Sequence, residues 1–299
     1  MTDSVRWMFH ASAMVRDFDA VTSTMARLFG CRLLHVTTDA DRIGRRGGMT
    51  WVGDNSLEIG EPAGDRSPVH VFIERFGPGV HSVAVQVHDI DATVERLEWL
   101  GVAVASRPYP GLMFTRPSDT HGLLIEWYSN ERDDDPRFGA HVPPFDVDPL
   151  VAVTRFAYVG AAVERPAVAA IRLAEILGTA VLRQPEPAGP TAPEAAVSLG
   201  DCTLALFDVA AVREHSVLFG RPIERPQVHT IALEVGEIDR AEACLHSAGV
   251  PILRRDPTLI VPDPAAIGMS VLVTSALLPH DPRLSAEPLE LREGSRRRR

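Results

Sequence analysis

The chain has 299 residues, 45% of them hydrophobic, which is enough apolar material for two domains that each bury a core of their own. Its formal net charge is −10 and its one concentrated basic run is Arg296-Arg297-Arg298-Arg299, so the composition argues against a nucleic-acid footprint, and the absence of lysine removes Schiff-base and Walker-lysine chemistry. Three cysteines without a Cys-x-x-Cys pair fit a reducing compartment, and no stretch approaches a membrane span, so a cytoplasmic protein without a membrane partner is expected.

Residues 6–15 alternate as a strand does, and Phe18, Val21, Met25, Leu28 and Phe29 then recur at helical spacing up to Gly30. Strands are expected at 32–36, 49–52 and 56–60, which gives the order strand, helix, strand, strand, strand. The next segment repeats that order: a strand at 80–87, a helix at 90–100, and strands at 102–105, 112–115 and 123–128. A charged, proline-bearing linker follows, and the same plan runs again from 151 to 275, with a low-complexity loop at 184–194 inserted in its third module.

The two halves are copies. Val80-His81-Ser82-Val83-Ala84-Val85-Gln86-Val87, followed by Asp89-Ile90-Asp91, returns as Val228-His229-Thr230-Ile231-Ala232-Leu233-Glu234-Val235, followed by Glu237-Ile238-Asp239. Upstream, Val52-Gly53-Asp54-Asn55-Ser56-Leu57 returns as Leu199-Gly200-Asp201-Cys202-Thr203-Leu204. A near-constant offset of 148 (80 to 228) and 147 (53 to 200) means a duplicated domain. The expected division is a first domain at 1–132 (modules 6–62 and 78–130), a linker at 133–150, a second domain at 151–280 (modules 151–208 and 226–276) and a tail at 281–299. The expected fold class is α+β, a tandem duplication in which each domain pairs two βαβββ modules into one curved mixed sheet.

Strand alternation assigns Met8, His10 and Ser12 to one face, and does the same for Ser56, Glu58 and Gly60, for His81, Val83 and Val85, and for Leu124, Glu126 and Tyr128. Leu57, Ile59, Leu123 and Ile125 point the other way, toward the helices. If the modules pair into one sheet, His10, Glu58, His81 and Glu126 converge. Such a nitrogen and oxygen donor set suits one divalent metal ion per chain, among Zn, Mn, Co, Ni and Fe, and in six-coordinate geometry leaves two positions for water or substrate. The second half is a control: His10, Glu58 and Glu126 become Tyr158, Ala205 and Leu272, and only His81 keeps its match, His229. The metal site is therefore expected in the first half, and the second domain is degenerate.

Paired modules with a His on the first strand of each and a carboxylate on the last resemble the vicinal oxygen chelate superfamily, which includes glyoxalase I, methylmalonyl-CoA epimerase and the extradiol dioxygenases. Leu57-Glu58-Ile59-Gly60-Glu61-Pro62, Gly77-Pro78-Gly79-Val80-His81 and Gly122-Leu123-Leu124-Ile125-Glu126 resemble the epimerase branch most. The tandem length is similar to that of the keto-cyclitol epimerases and of the extradiol dioxygenases. The resemblance implies that His10, Glu58, His81 and Glu126 bind the metal. It also implies a small-molecule substrate with vicinal oxygens, of keto-cyclitol or acyl-CoA type; a homodimer is left open.

A metal that chelates adjacent oxygens stabilises an enolate and eases removal of the proton beside a carbonyl. An epimerase or isomerase acting this way is the leading expectation, with Glu126 or Glu58 shuttling the proton, His121 in the turn before the last strand as a second base, and Tyr128 and Ser12 facing substrate. A glyoxalase-type lyase and an Fe(II) ring-cleaving dioxygenase stand as alternatives, the latter because His10, His81 and Glu126 alone would make a facial triad. A non-catalytic small-molecule binding or sequestering protein is the third class.

Overall fold

The computed structural model describes residues 4–41, 43–64, 67–133, 135–182, 192–219, 222–263 and 268–284. Most of the inserted loop at 184–194, and the tail from 285 onward, lie outside them. In the first domain β1 (Trp7–Met14), α1 (Phe18–Phe29), β2 (Arg32–Asp39), β3 (Arg45–Val52) and β4 (Asn55–Pro62) form one module. After α2 (Pro68–Phe76), the second module is β5 (Gly79–Gln86), α3 (Ile90–Trp99), β6 (Val104–Tyr109), β7 (Leu112–Thr115) and β8 (Ile125–Tyr128). The second domain repeats the order with β9 (Val153–Val163), α4 (Pro166–Leu177), β10 (Val181–Leu182), β11 (Ala195–Ser198) and β12 (Thr203–Asp208), then α5 (Val209–Glu214), β13 (Gln227–Val235), α6 (Ile238–Ser247), β14 (Leu253–Arg255), β15 (Thr258–Val261) and β16 (Val271–Thr274).

Each domain is one eight-stranded mixed sheet, in the order β2-β3-β4-β1-β5-β8-β7-β6 and its copy β10-β11-β12-β9-β13-β16-β15-β14. The chain is thus an α+β tandem duplication of paired βαβββ modules. Among the described residues no helix is long and apolar enough to cross a membrane.

Local signals account for the helices. Asp17 caps α1 by accepting from the Ala20 N–H, Gly30 closes it in the left-handed conformation, and its periodic apolar residues are all buried. Helix α2, which the apolar spacing did not reveal, starts on a Ser67 cap with Pro68 in its first turn, and it buries Val69 and Ile73 against Met14. One core runs through both domains: Val83 and Val85 of β5 and Val228, Ile231 and Leu233 of β13 belong to the same buried cluster.

The register explains where plain alternation fails. Between β1 and β5, Met8 pairs with Val85 but His10 with Ala84, and Ser12 pairs with Ser82 but Ala13 with Val80, so Phe9 and His81 are each an extra residue in a β-bulge. Crossing an inserted residue reverses the face on which the side chains beyond it fall. Met8, Val83 and Val85, expected on the donor face, lie instead in the core with Leu57 and Ile59. The second domain carries the same two bulges, at Ala157 and His229.

The domains lock reciprocally about a pseudo-twofold. The turn glycines Gly53 and Gly200, both at positive φ, press on Arg155 and Arg6 of the opposite domain, where a Cβ would come within 2.5 and 2.2 Å of backbone atoms. The neighbouring carboxylates then accept across the interface, Asp54 from the Phe156 N–H and Asp201 from the Met8 N–H, both at 2.8 Å. Arg137 donates to the Met8 and Phe9 carbonyls, and Arg283 to those of Phe156 and Ala157, so each guanidinium satisfies the carbonyls of a bulge. Residues 281–284, expected in the tail, are therefore packed against β9.

Candidate metal centre

His10 stands on β1, Glu58 on its neighbour β4, and Glu126 on β8, one strand beyond β5. Ser12 pairs with Glu58, His10 with Ala84, and Ala84 with Glu126. In a flat sheet, strands β4 and β8 would stand roughly 14 Å apart, so the curl of the sheet and small residues on its floor are what let the two carboxylates meet.

They do meet. One ligand atom from each of His10, Glu58 and Glu126 lies within 4.8 Å of the other two, and all three residues are buried. His10 Nε2 is 3.6 Å from Glu58 Oε2 and 3.8 Å from Glu126 Oε2, and neither of its ring nitrogens has a hydrogen-bond partner although the residue is fully buried. Orphaned buried nitrogens are costly. Donors just beyond hydrogen-bond distance suit atoms sharing an ion, since ligands at about 2.1 Å from a centre lie roughly 3 to 3.5 Å from one another. The residues present therefore fit a divalent metal.

His81 is not part of that group of three. The bulge turns it toward the same cavity as Glu58 and Glu126, and its ring packs edge-on against Phe72. Its Nδ1 is 3.1 Å from the Ser82 hydroxyl, which donates its only proton to Glu126 Oε1. The Ser82 oxygen is thus left to accept from a protonated Nδ1, and the lone pair of His81 falls on Nε2.

Two further groups orient the carboxylates. Ser12 Oγ lies 3.0 Å from Glu58 Oε2 and 3.2 Å from Glu126 Oε1, between the two acids. Arg45 Nη2 donates to Glu58 Oε1 at 2.6 Å, leaving Oε2 to face His10. Arg45 follows no motif, but Gly47, the residue two further along β3, has no Cβ to collide with the guanidinium. Burial alone would raise Glu126, but His10, Ser82 and His81 outweigh it and hold the carboxyl at about 2. Burial pushes His81 down, against the pull of Glu126 and Glu58. Burial, then the same two carboxylates, push the Tyr128 phenol well above its ordinary range, so it remains a neutral O–H.

The donors open into a cavity of about 550 Å³, walled by Met14, Val69, Leu112, Phe114 and Leu124 with Arg45 and Tyr128 beside the acids. The size and apolar lining are those of a small-molecule site. His121 does not line this cavity: it sits at φ 54°, half-buried, with Arg165, Arg172 and Glu164 of the second domain as its charged neighbours. In the second domain the equivalent pairings, Ala205 with Gly160, Ala232 with Tyr158 and Leu272 with Ala232, are kept. There Phe207, Phe219, Leu218 and Ile223 fill the space, and the His229 ring packs edge-on against both phenylalanines.

A curled, duplicated βαβββ sheet with an oxygen-rich donor cluster is the arrangement that the resemblance to vicinal oxygen chelate proteins implied. Residues 9–113 match the Glyoxalase/Bleomycin resistance protein/Dioxygenase superfamily. The ethylmalonyl-CoA/methylmalonyl-CoA epimerase of Cereibacter sphaeroides is 25% identical over 129 residues, 39% of this chain and 92% of that protein. The uncharacterized protein YqjC of Bacillus subtilis is 32% identical over 80 residues, 25% of this chain, and the match spans only 57% of its length. Among solved structures, methylmalonyl-CoA epimerase from Mycobacterium tuberculosis is 26% identical with a TM-score of 0.41, over 44% of this chain and 93% of that one. A 4-hydroxymandelate synthase variant from Streptomyces coelicolor, 14% identical, aligns over 92% of this chain and 94% of its own with a TM-score of 0.64, a likeness of fold across both domains.

Proposed function

We propose that the chain is a metal-dependent epimerase or isomerase that moves a proton beside a carbonyl, with His10, Glu58 and Glu126 holding one divalent ion and His81 as its fourth ligand. The observation that carries this reading is the convergence of two carboxylates on a fully buried imidazole whose nitrogens lack partners. When bound, the ion would supply Lewis acidity that eases removal of a proton beside a substrate carbonyl. The chain's own residues do the rest. Ser12, Ser82 and Arg45 hold the carboxylates in place, Glu126 or Glu58 carries the proton, and the apolar walls exclude water from it. His81, with Nδ1–H on Ser82, has the tautomer of a ligating histidine anchored from behind.

The match to an acyl-CoA epimerase over nearly that relative's full length supports the reading, and an acyl-CoA or keto-cyclitol is the proposed substrate type. A ring-cleaving dioxygenase calls for two histidines and one carboxylate with open positions; here Glu58 joins the group as a second carboxylate and takes one of those positions. The test is solvent-deuterium exchange into candidate ketones, cyclitols and acyl-CoAs with a redox-silent ion such as Zn²⁺. Exchange without oxygen uptake is expected. Oxygen consumed in step with product, and an active Glu58→Ala variant, would replace this reading with the dioxygenase.

A further inference from the structure

We infer that the second domain builds a pocket beside the proposed metal site for an apolar arm of the substrate that ends in an anionic group, and that Arg225 takes the anion. The inference depends on the proposed function only for the statement that the occupant is its substrate.

A cavity of about 340 Å³ lies between the domains, with Phe72, Phe76 and Leu124 of the first and Arg225, Pro226 and Val228 of the second among its walls. His81 and Leu124 line both this cavity and the one above the donors, so a ligand whose reacting end sits at Glu58 and Glu126 has a path past His81 toward Arg225. The second-domain wall is held in place. Gly122, at φ 85°, admits Pro226 so closely that a Cβ there would lie 2.5 Å from the proline ring, and Ile223 anchors the same segment in the apolar cluster of its own domain.

The chemistry of the walls selects the occupant. The body is aromatic and aliphatic, which favours a planar or branched apolar group. At the rim the Arg225 guanidinium stacks 4.0 Å from the Phe76 ring centroid, a geometry that fixes the cation while leaving its edge to bind an anion. Among the described residues no carboxylate pairs with Arg225, whereas Arg213 nearby in sequence is paired with Glu224. A carboxylate, phosphate or sulfonate at the end of the arm would complete the site, and filling the equivalent space in the second domain would leave that domain's role as the wall of this pocket.

The probe is 8-anilino-1-naphthalenesulfonate, an aromatic body with one anion, titrated by fluorescence into the full chain beside its neutral counterpart N-phenyl-1-naphthylamine. One sulfonate probe per chain is expected, with affinity about tenfold weaker in Arg225→Glu, the loss of one charge-assisted contact. Phe76→Ala should weaken both probes, and Arg240→Glu, a charge reversal on the exposed face of α6, should leave both unchanged. Arg225 is exposed, so its variant reports even where Phe76→Ala fails to fold. Equal affinity in Arg225→Glu and wild type, equal losses in Arg225→Glu and Arg240→Glu, or equal loss of the neutral probe would overturn the inference. The readout needs no turnover, so absent proton exchange would fail the proposed activity without touching this pocket.

Discussion

Ser82 has one proton to give, and it goes to Glu126; the oxygen then has room to receive His81. Ser82→Ala removes both anchors, and divalent-ion affinity measured by calorimetry should fall about 10- to 100-fold, the range for partners that orient ligands. An unchanged affinity would mean that the ligands hold themselves. Among the described residues Arg45 is the one guanidinium bonded to Glu58, and in the metal-free protein Arg45→Gln should lower unfolding free energy by about 3 kcal/mol, the order for breaking a buried pair. Added divalent ion should restore most of that loss, since it supplies the missing positive charge. A thermal melt that shows no such recovery contradicts the shared-site reading. His10, Glu58 and Glu126 were legible because they are missing from the second half while the surrounding pattern survives. Ser82 was not, since alternation assigns it to the opposite face, and Arg45 offered only the neighbouring Gly47-Gly48 as a sign that a bulky side chain needed space.

Strand parity is a reliable guide until a residue is inserted, and both central strands of the first sheet carry an insertion. Counting by twos joins Met8 to His10 and Val83 to His81, and each pairing is undone by a bulge that sequence periodicity does not register. The two bulges recur in the copy, which marks them as features of the fold. The Phe9 bulge is held by Arg137, and its counterpart by Arg283; the repeat Asp135-Pro136-Arg137 and Asp281-Pro282-Arg283 was present in the sequence at an offset of 146 (135 to 281) but lies beyond the strands that revealed the duplication. Arg137→Met keeps the stem and removes the donors, so the Met8 and Phe9 carbonyls lose charge-assisted bonds and stability should fall by about 2 to 4 kcal/mol in urea titrations. Because the same bulge aims His10, metal affinity should fall as well. Lost stability with wild-type affinity would detach the bulge from the site.

The whole molecule is held together by its repeated Gly-Asp turns, and one of them makes folding sensitive to pH. Burial first, then the nearby Asp54, push the Asp201 carboxyl up to about 7, against Arg137 and the Met8 N–H. The folded state therefore prefers the protonated acid. Its contribution is full below the ordinary carboxylate range and is lost as pH rises through about 7. The side chain retains 36% exposure, so solvent screens part of the effect. Asp201→Asn, which keeps an oxygen for the Met8 N–H, should flatten the decline in stability between pH 4 and 8 that the wild type shows. Parallel pH profiles for the two proteins would exclude Asp201 as the source.

Across the molecule the central claim is asymmetry: two copies of one fold, with a metal centre in the first alone. Anomalous diffraction from crystals soaked in Mn²⁺ measures this most directly. One peak per chain is predicted, bonded to His10, Glu58 and Glu126 with His81 as the fourth ligand and nothing at Tyr158, Ala205, His229 and Leu272. A peak in the second domain, or saturating ion with no density at the three buried donors, would contradict it.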